Sequence, residues 1–283
     1  MTIAEALREA AARLGEVSDT ARLDAELLMA EAVGVSRSDL LLRRMVDAVP
    51  EAFEPLIARR LRHEPVAQIL GRKEFYGREF RVGRAVLTPR ADSETIIEAA
   101  LEAVPSPTRI LDCGTGSGVL LLTLLAERPA ATGIGTDASP AALEVAAANA
   151  EALGLTDRVQ MLRRDWGEEG WSADLGQFDL IVANPPYVED SADLAPSVRD
   201  YEPAEALFAG IEGLDAYRVL FPQLPALLAP GGAAVFEIGP TQAEKVAQIA
   251  GAAGLSSEVR RDLANRPRAL ILRIRLGKGP RSG

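Results

Sequence analysis

A chain of 283 residues, 48% hydrophobic and 25% charged, has the size and composition of a globular protein with one large domain or two modest ones. Its net charge of −10 opposes general binding to nucleic-acid phosphates, and one cysteine (Cys113) with one histidine (His63) rules out an internal disulfide and a structural zinc site. No apolar run approaches a membrane span and the N-terminus lacks the basic and apolar regions of a signal peptide, so a cytoplasmic protein is expected.

Thr2 and Glu5 have the spacing of a capping box, and the apolar residues after them run to Leu14 before Gly15. Ser18 restarts the pattern, with Leu23, Leu27, Leu28 and Ala30 at helical spacing up to Gly34. Shorter helices over 38–44 and 50–62 complete a four-helix N-terminal domain, residues 1–65, which holds no constellation of catalytic side chains. Residues 66–90 read as a β-hairpin connector, with alternating Phe75, Tyr76, Phe80 and Val82 around Gly77. Between Arg59 and Arg90 nine basic residues stand against three acidic ones, a local basic patch that reads equally as a solvated face or a docking surface.

From Arg109 strands and helices alternate: strands at 109–113, 132–137, 159–162, 178–183 and 233–238, helices at 119–126, 140–152, 214–228 and 241–252, and a closing pair of strands at 255–261 and 269–274. Such alternation predicts a doubly wound α/β domain over 91–276. Residues 277–283 are expected to be a disordered tail.

Two motifs carry chemistry. Gly114-Thr115-Gly116-Ser117-Gly118 turns the first strand of this domain into a helix, with Asp112 before it and Asp137 at the end of the next strand, where a carboxylate takes ribose hydroxyls. The glycine spacing is not that of a dinucleotide site. With Asp165-Trp166 after the third strand, it resembles the S-adenosylmethionine-dependent methyltransferase pattern, which implies that Asp137 holds the ribose and Asp165 with Trp166 borders the adenine. Asp137 also reads as an ordinary carboxylate at a helix start, and Trp166 as core packing.

The second motif is Asn184-Pro185-Pro186-Tyr187, after the strand Phe178–Ala183, which lacks polar alternation and so reads as buried on both faces. Ligands of open parallel sheets sit beyond the carboxyl ends of strands. There the Asn184 side-chain oxygen and the Pro185 carbonyl offer two acceptors for the hydrogens of a planar NH₂ group, and the Tyr187 ring offers a stacking face. Asn-Pro is also a common turn signal. The long loop 188–212 is a candidate lid.

With the glycine turn, Asp137 and the tetrad in place, the chain resembles the peptide chain release factor glutamine methyltransferases. The likeness extends to Glu64-Pro65-Val66-Ala67-Gln68-Ile69-Leu70-Gly71, Pro89-Arg90 followed by Glu94, Tyr201-Glu202-Pro203, Gly231-Gly232, Glu237-Ile238-Gly239, Asp262 and Arg268. Ala91-Asp92-Ser93 replaces the more usual Pro-Glu-Thr, and Gln68 stands where an aromatic is common. The resemblance implies an N-terminal helical substrate-recognition domain joined by a hairpin to a Rossmann-like class I methyltransferase domain, its sheet mostly parallel with an antiparallel C-terminal strand. It implies methylation, with S-adenosylmethionine, of the glutamine amide nitrogen in the Gly-Gly-Gln motif of release factors. Asn184, Pro185 and Tyr187 are the implied catalytic residues. Pro186 and Arg90 join them in binding substrate, while Gly114, Thr115, Gly116, Ser117, Gly118, Asp137, Asp165, Trp166 and Asn184 hold the cofactor. A monomer without direct nucleic-acid or membrane partners is expected. The competing readings are a ribosomal-protein glutamine methyltransferase, a DNA adenine amino-methyltransferase, whose target is another planar NH₂, and a non-enzymatic cofactor-binding module.

Overall fold

The computed structural model describes residues 1–275, so the expected tail at 277–283 lies outside the described residues. Contacts divide the chain into two units. The first comprises Met1–Lys73, Val82–Arg84 and Leu194–Glu202; the second comprises Glu74–Arg81, Ala85–Asp193 and the chain from Pro203. Residues 72 and 73 of the hairpin thus fall in the first unit and residues 74–81 in the second.

The first unit is helical. α1 (Ile3–Leu14) opens on the expected capping box, the Thr2 hydroxyl accepting from the Glu5 amide at 3.3 Å and the Glu5 carboxylate from the Thr2 amide at 2.8 Å. Its buried residues, Ile3, Ala6, Leu7, Ala10 and Leu14, follow the helical repeat. α2 (Ala21–Val33), α3 (Arg37–Arg43) and α4 (Phe53–Leu61) pack a core with it that includes Leu28, Met29, Leu40, Phe53 and Ile57. A fifth helix, α5 (Val66–Leu70), lies where the sequence reading places the start of the hairpin connector. Pro65 precedes it and Gly71, at φ 72°, ends it, a start and stop too close together for periodicity to register. Asp24 is buried, and accepts from Ser18, Thr20 and the Arg60 guanidinium at 2.7, 2.9 and 2.8 Å. Buried charge persists only when matched in this way.

Residues 194–202, the middle of the loop read as a lid, belong to this helical unit: the Tyr201 hydroxyl donates to the Arg62 carbonyl and Gln68 donates to the Tyr201 carbonyl, both at 2.8 Å. The Arg84 guanidinium lies 4.6 Å above the Tyr201 ring. Much of the basic patch is neutralised locally. Arg59 pairs with Glu64, Arg60 with Asp24, Arg72 with Glu31 and Arg78 with Glu127.

The remaining elements run β1 (Arg72–Phe75), β2 (Arg78–Arg81), α6 (Glu94–Ala103), β3 (Arg109–Cys113), α7 (Val119–Glu127), β4 (Thr132–Asp137), α8 (Pro140–Ala152), β5 (Val159–Arg163) and β6 (Phe178–Ala183). After α9 (Pro196–Arg199), in the helical unit, come α10 (Asp215–Leu220), α11 (Leu224–Leu227), β7 (Leu228–Glu237), α12 (Ala243–Ala252), β8 (Leu255–Arg261) and β9 (Pro267–Ile274). No described helix is long and apolar enough to cross a membrane.

The sheet order is β5-β4-β3-β6-β7-β9-β8, parallel through β7, with β9 antiparallel to both β7 and β8. Alternate residues feed opposite cores. Leu111, Ile181, Ala234 and Phe236 pack with α10 and α12, whereas Ile110, Leu180, Val182 and Val235 pack with α6 and α7. Each fully buried aliphatic side chain stabilises the fold by about 1.5–3 kcal/mol, so β6 is anchored from both faces. Cys113 lies in this core, and burial raises its thiol pKa far above the ordinary value.

Two expectations needed correction. The helix read over 214–228 is broken into α10, a 3-10 turn at Phe221–Gln223 and α11, because Pro222 and Pro225 each remove an amide donor. β7 begins at Leu228, well before Ala233. Its register against β6 jumps from Leu228 opposite Phe178 to Ala233 opposite Leu180, so Pro230-Gly231-Gly232 forms a bulge within the strand, with Gly231 at φ 81°.

Candidate active site

The strand order reverses at β3, between β4 and β6, which opens a crevice at their carboxyl ends. Asp112 pairs with Val182 in register, so the chain leaves the sheet side by side at Gly114 and Asn184. The crevice is a cavity of about 460 Å³ lined by the glycine turn, the ends of β4 and β5, and the start of the tetrad.

Gly114, Gly116 and Gly118 all have positive φ, at 75°, 54° and 80°, a backbone that side chains disfavour. The Gly114 and Thr115 amides both donate to the Thr136 carbonyl at 2.8 Å, folding the turn over the end of β4. A Cβ on Gly114 would stand 2.8 Å from the Trp166 ring, whereas one on Gly116 would meet open space. Gly114 and Gly116 line the cavity; Thr115, Ser117 and Gly118 do not. The Thr115 hydroxyl donates to Asp112 at 2.7 Å, the Ser117 carbonyl accepts from Asn149 at 2.8 Å, and Gly118 abuts Leu122. These three shape the turn from behind.

Asp137 lines the cavity with one oxygen accepting from the Gly116 amide and the other from the Ser139 amide, both at 2.9 Å. Asp165 and Trp166 line it from the end of β5. Asp165 accepts from the Gly167 amide at 2.8 Å, and the Trp166 carbonyl accepts from Gln223 at 3.2 Å.

Of the tetrad, Asn184 and Pro186 reach the cavity. Among the described residues, the Asn184 side-chain amide and the Pro185 carbonyl have no hydrogen-bond partner. Pro185 is buried. Tyr187 turns away from the cavity lining: its hydroxyl donates to Glu237 Oε1 at 3.2 Å and its carbonyl accepts from Gln242 at 3.0 Å. Burial raises its phenol pKa far above the ordinary value, with the Glu237 charge adding to the shift and the Arg268 and Arg90 charges opposing it. Arg90 thus stands close to Tyr187 without lining the cavity.

Several residues outside the predicted set organise the site. Buried Asn149 holds β2 through the Arg81 amide at 2.7 Å as well as the glycine turn. Glu237, fully buried at the end of β7, takes the hydroxyls of Tyr187 and Ser93. Their signal in the sequence is an amide or carboxylate inside an apolar pattern, which must find partners. The departure at Ala91-Asp92-Ser93 keeps the chemistry of Glu and Thr: Asp92 holds Arg268 at 2.7 Å and Ser93 supplies a hydroxyl to Glu237.

Asp112, 1% exposed, has one oxygen bonded to Thr115 and the other, Oδ1, without a partner. Burial raises its pKa from 3.8 to about 7, with Thr115 pulling the other way and the Asp137 charge adding to the rise. The folded protein therefore keeps a proton that the unfolded chain has lost between these values. Stability on this account is fully present below pH 3.8 and lost as pH rises through 7, by a few kcal/mol in all (roughly 1.4 kcal/mol per pKa unit). Asp112→Asn is expected to gain in melting temperature over the wild type progressively from pH 4 to 8, measured by calorimetry without ligand; a pH-independent difference would contradict the assignment.

This sheet order, with a glycine turn after β3, a carboxylate ending β4 and an amide beyond β6, defines a Rossmann-like class I methyltransferase domain. Residues 106–249 match a family model described as a methyltransferase domain, and residues 5–71 match one described as the PrmC N-terminal domain. The structure of a methyltransferase from Pyrococcus furiosus aligns with a TM-score of 0.51 at 17% identity, over 78% of this chain and 98% of that one, a likeness of fold. The release factor glutamine methyltransferase of Cereibacter sphaeroides is 46% identical over 97% of this chain and 99% of its own length. That of Rhodospirillum rubrum is 44% identical over 90% of this chain and 79% of its own length. The chain belongs to the release factor glutamine methyltransferase family.

Proposed function

We propose that the chain transfers a methyl group from S-adenosylmethionine to the side-chain amide nitrogen of the glutamine in the Gly-Gly-Gln motif of peptide chain release factors, in the cytoplasm where translation ends. The observation that carries this reading is the pair of unpartnered groups, the Asn184 amide lining the cavity and the carbonyl of buried Pro185 next to it in the chain, facing a cavity whose other wall suits the methyl donor. On that wall Gly116 leaves open space and Asp137 keeps one lone pair on each oxygen beyond its two backbone bonds. When bound, S-adenosylmethionine supplies an electrophilic methyl group on a sulfonium.

An amide nitrogen is a poor nucleophile because its lone pair is delocalised into the carbonyl. The Asn184 oxygen and the Pro185 carbonyl, each accepting one amide hydrogen, draw electron density back onto that nitrogen and fix its direction. Positioning of this kind supplies about 7 kcal/mol or more of a barrier where alignment is good. No strong base is needed if the proton leaves after transfer. The long loop contributes walls: Pro203, Ala206 and Phe208 line the cavity, and the Val188 and Ala209 amides exchange bonds with the Leu207 and Val188 carbonyls at 2.8 and 2.9 Å.

The test is incubation with methyl-labelled cofactor, purified release factors, ribosomal proteins and duplex DNA, followed by mapping of the labelled residue. Label on the release factor glutamine is the expected result. Label on a ribosomal protein or on adenine would replace the reading, and cofactor binding with no transfer would reduce the chain to a binding module.

A further inference from the structure

The contacts that fix the tetrad's last side chain are made behind the cavity, around one carboxylate. Glu237 accepts from the Tyr187 hydroxyl on Oε1 at 3.2 Å and from the Ser93 hydroxyl on Oε2 at 2.5 Å. The Glu237 main-chain carbonyl accepts from the Tyr217 hydroxyl at 2.9 Å. Burial raises the Glu237 pKa, opposed by the Ser93 hydroxyl and by the charge of Arg268, 6% exposed, on β9, whose carbonyl accepts from the Ile238 amide at 2.9 Å. Arg268 is held in turn by Asp92 at 2.7 Å, with Asp262 at 3.7 Å.

A buried strand end has no need of a carboxylate. Burying an ion costs several kcal/mol, and well-packed apolar residues in place of a buried ion pair are often neutral or stabilising. Here the charged group also recruits a hydroxyl from the Ala91–Ser93 turn and an arginine from β9, and spends its remaining oxygen on the Tyr187 phenol. Tyr187 enters that arrangement from the loop after β6, whereas Ser93, Glu237 and Arg268 sit in regular elements. A phenol held at its far end has its ring rotation fixed, and the backbone of Pro185-Pro186 that leads into it has little freedom of its own.

We propose that Glu237 is a positioning residue for methyl transfer: clamped by Ser93 and balanced by Arg268, it locks the Tyr187 ring and through it the Asn184-Pro185 acceptors. Its effect on catalysis rests on the glutamine reading above, whereas the clamp itself does not. A misplacement of about 1 Å in a positioned group costs on the order of a hundredfold in rate, so a partial loosening is felt in turnover before it is felt in binding.

The test uses the full chain with Tyr labelled by carbon-13 at Cζ. There are four tyrosines, and the Tyr187 resonance is the one lost in Tyr187→Phe. In both Glu237→Gln and Ser93→Ala that resonance is expected to move while those of Tyr76 and Tyr201 stay. On release factor, Glu237→Gln is expected to lose about tenfold or more in kcat with KM and cofactor affinity held within about twofold, and the double variant with Tyr187→Phe to be no slower than the slower single one. Ser93→Ala, with no charge change, decides the matter if Glu237→Gln fails to fold. An unmoved Tyr187 resonance, or rate losses that multiply in the double variant, would overturn the proposal. A wild-type chain inactive on glutamine would sink the substrate reading alone, leaving the resonance to judge the clamp.

Discussion

Asn184→Ala is expected to lower methyl transfer to release factor by about a thousandfold, the upper range for loss of one preorganised polar group at a reacting centre, while S-adenosylmethionine binds almost as before. Asn184 lines the cavity with its side-chain amide unbonded to any described residue, so truncation breaks no hydrogen bond to a described residue. On the proposed mechanism it removes one of two acceptors, and the Pro185 carbonyl alone would neither fix the plane of the substrate amide nor restore the nitrogen's electron density. The cavity walls at Gly114, Asp137 and Trp166, the proposed cofactor side, are untouched. Single-turnover rates and calorimetric affinities separate the two effects. A variant with wild-type turnover would sink the assignment, and an equal loss of affinity and rate would make Asn184 a cofactor residue first.

The parts of this molecule visible in sequence are those where a local rule and the tertiary demand coincide. The strand Phe178–Ala183 is uniformly apolar because it is covered on both faces, and the glycine turn is glycine because three of its residues adopt left-handed φ. The tetrad and Asp137 were legible as the ends of such strands. What escaped was long-range or too short. α5 is a single turn between Pro65 and Gly71, and the β7 bulge is decided by the partner strand's register, which no local pattern encodes. The anchoring of residues 194–202 in the helical unit depends on Gln68 reaching Tyr201, residues 133 positions apart. Glu237 reads as the polar end of an apolar run; only the fold brings Ser93, Tyr187 and Arg268 around it. Tyr187, predicted as a stacking face, also has its hydroxyl committed to Glu237, because a largely buried phenol needs a partner.

Asp137→Ala is expected to weaken S-adenosylmethionine binding by about a hundredfold or more, since hydrogen bonds to a charged group contribute about 1.5–3 kcal/mol each. The sequence left two readings of this carboxylate, helix start and ribose holder, and the geometry lets one group serve both. Its oxygens tie the Gly116 amide to the Ser139 amide, and Ser139 in turn caps α8 by accepting from the Ala142 amide at 3.3 Å. Each oxygen accepts one backbone bond and has a second lone pair, which on the proposed reading takes one of two vicinal hydroxyls. Asp137→Asn is the sharper variant: it keeps one acceptor but turns an NH₂ against a backbone amide, so both the glycine turn and the ligand side suffer. Calorimetric titration with S-adenosylmethionine, together with melting temperatures of the unliganded variants, separates the roles. If Asp137 only organised the backbone, the variants would melt lower yet bind the cofactor within about threefold of wild type once folded. If it also holds the ligand, affinity falls by far more than the loss of stability accounts for, and S-adenosylmethionine no longer raises the melting temperature at concentrations that protect the wild type.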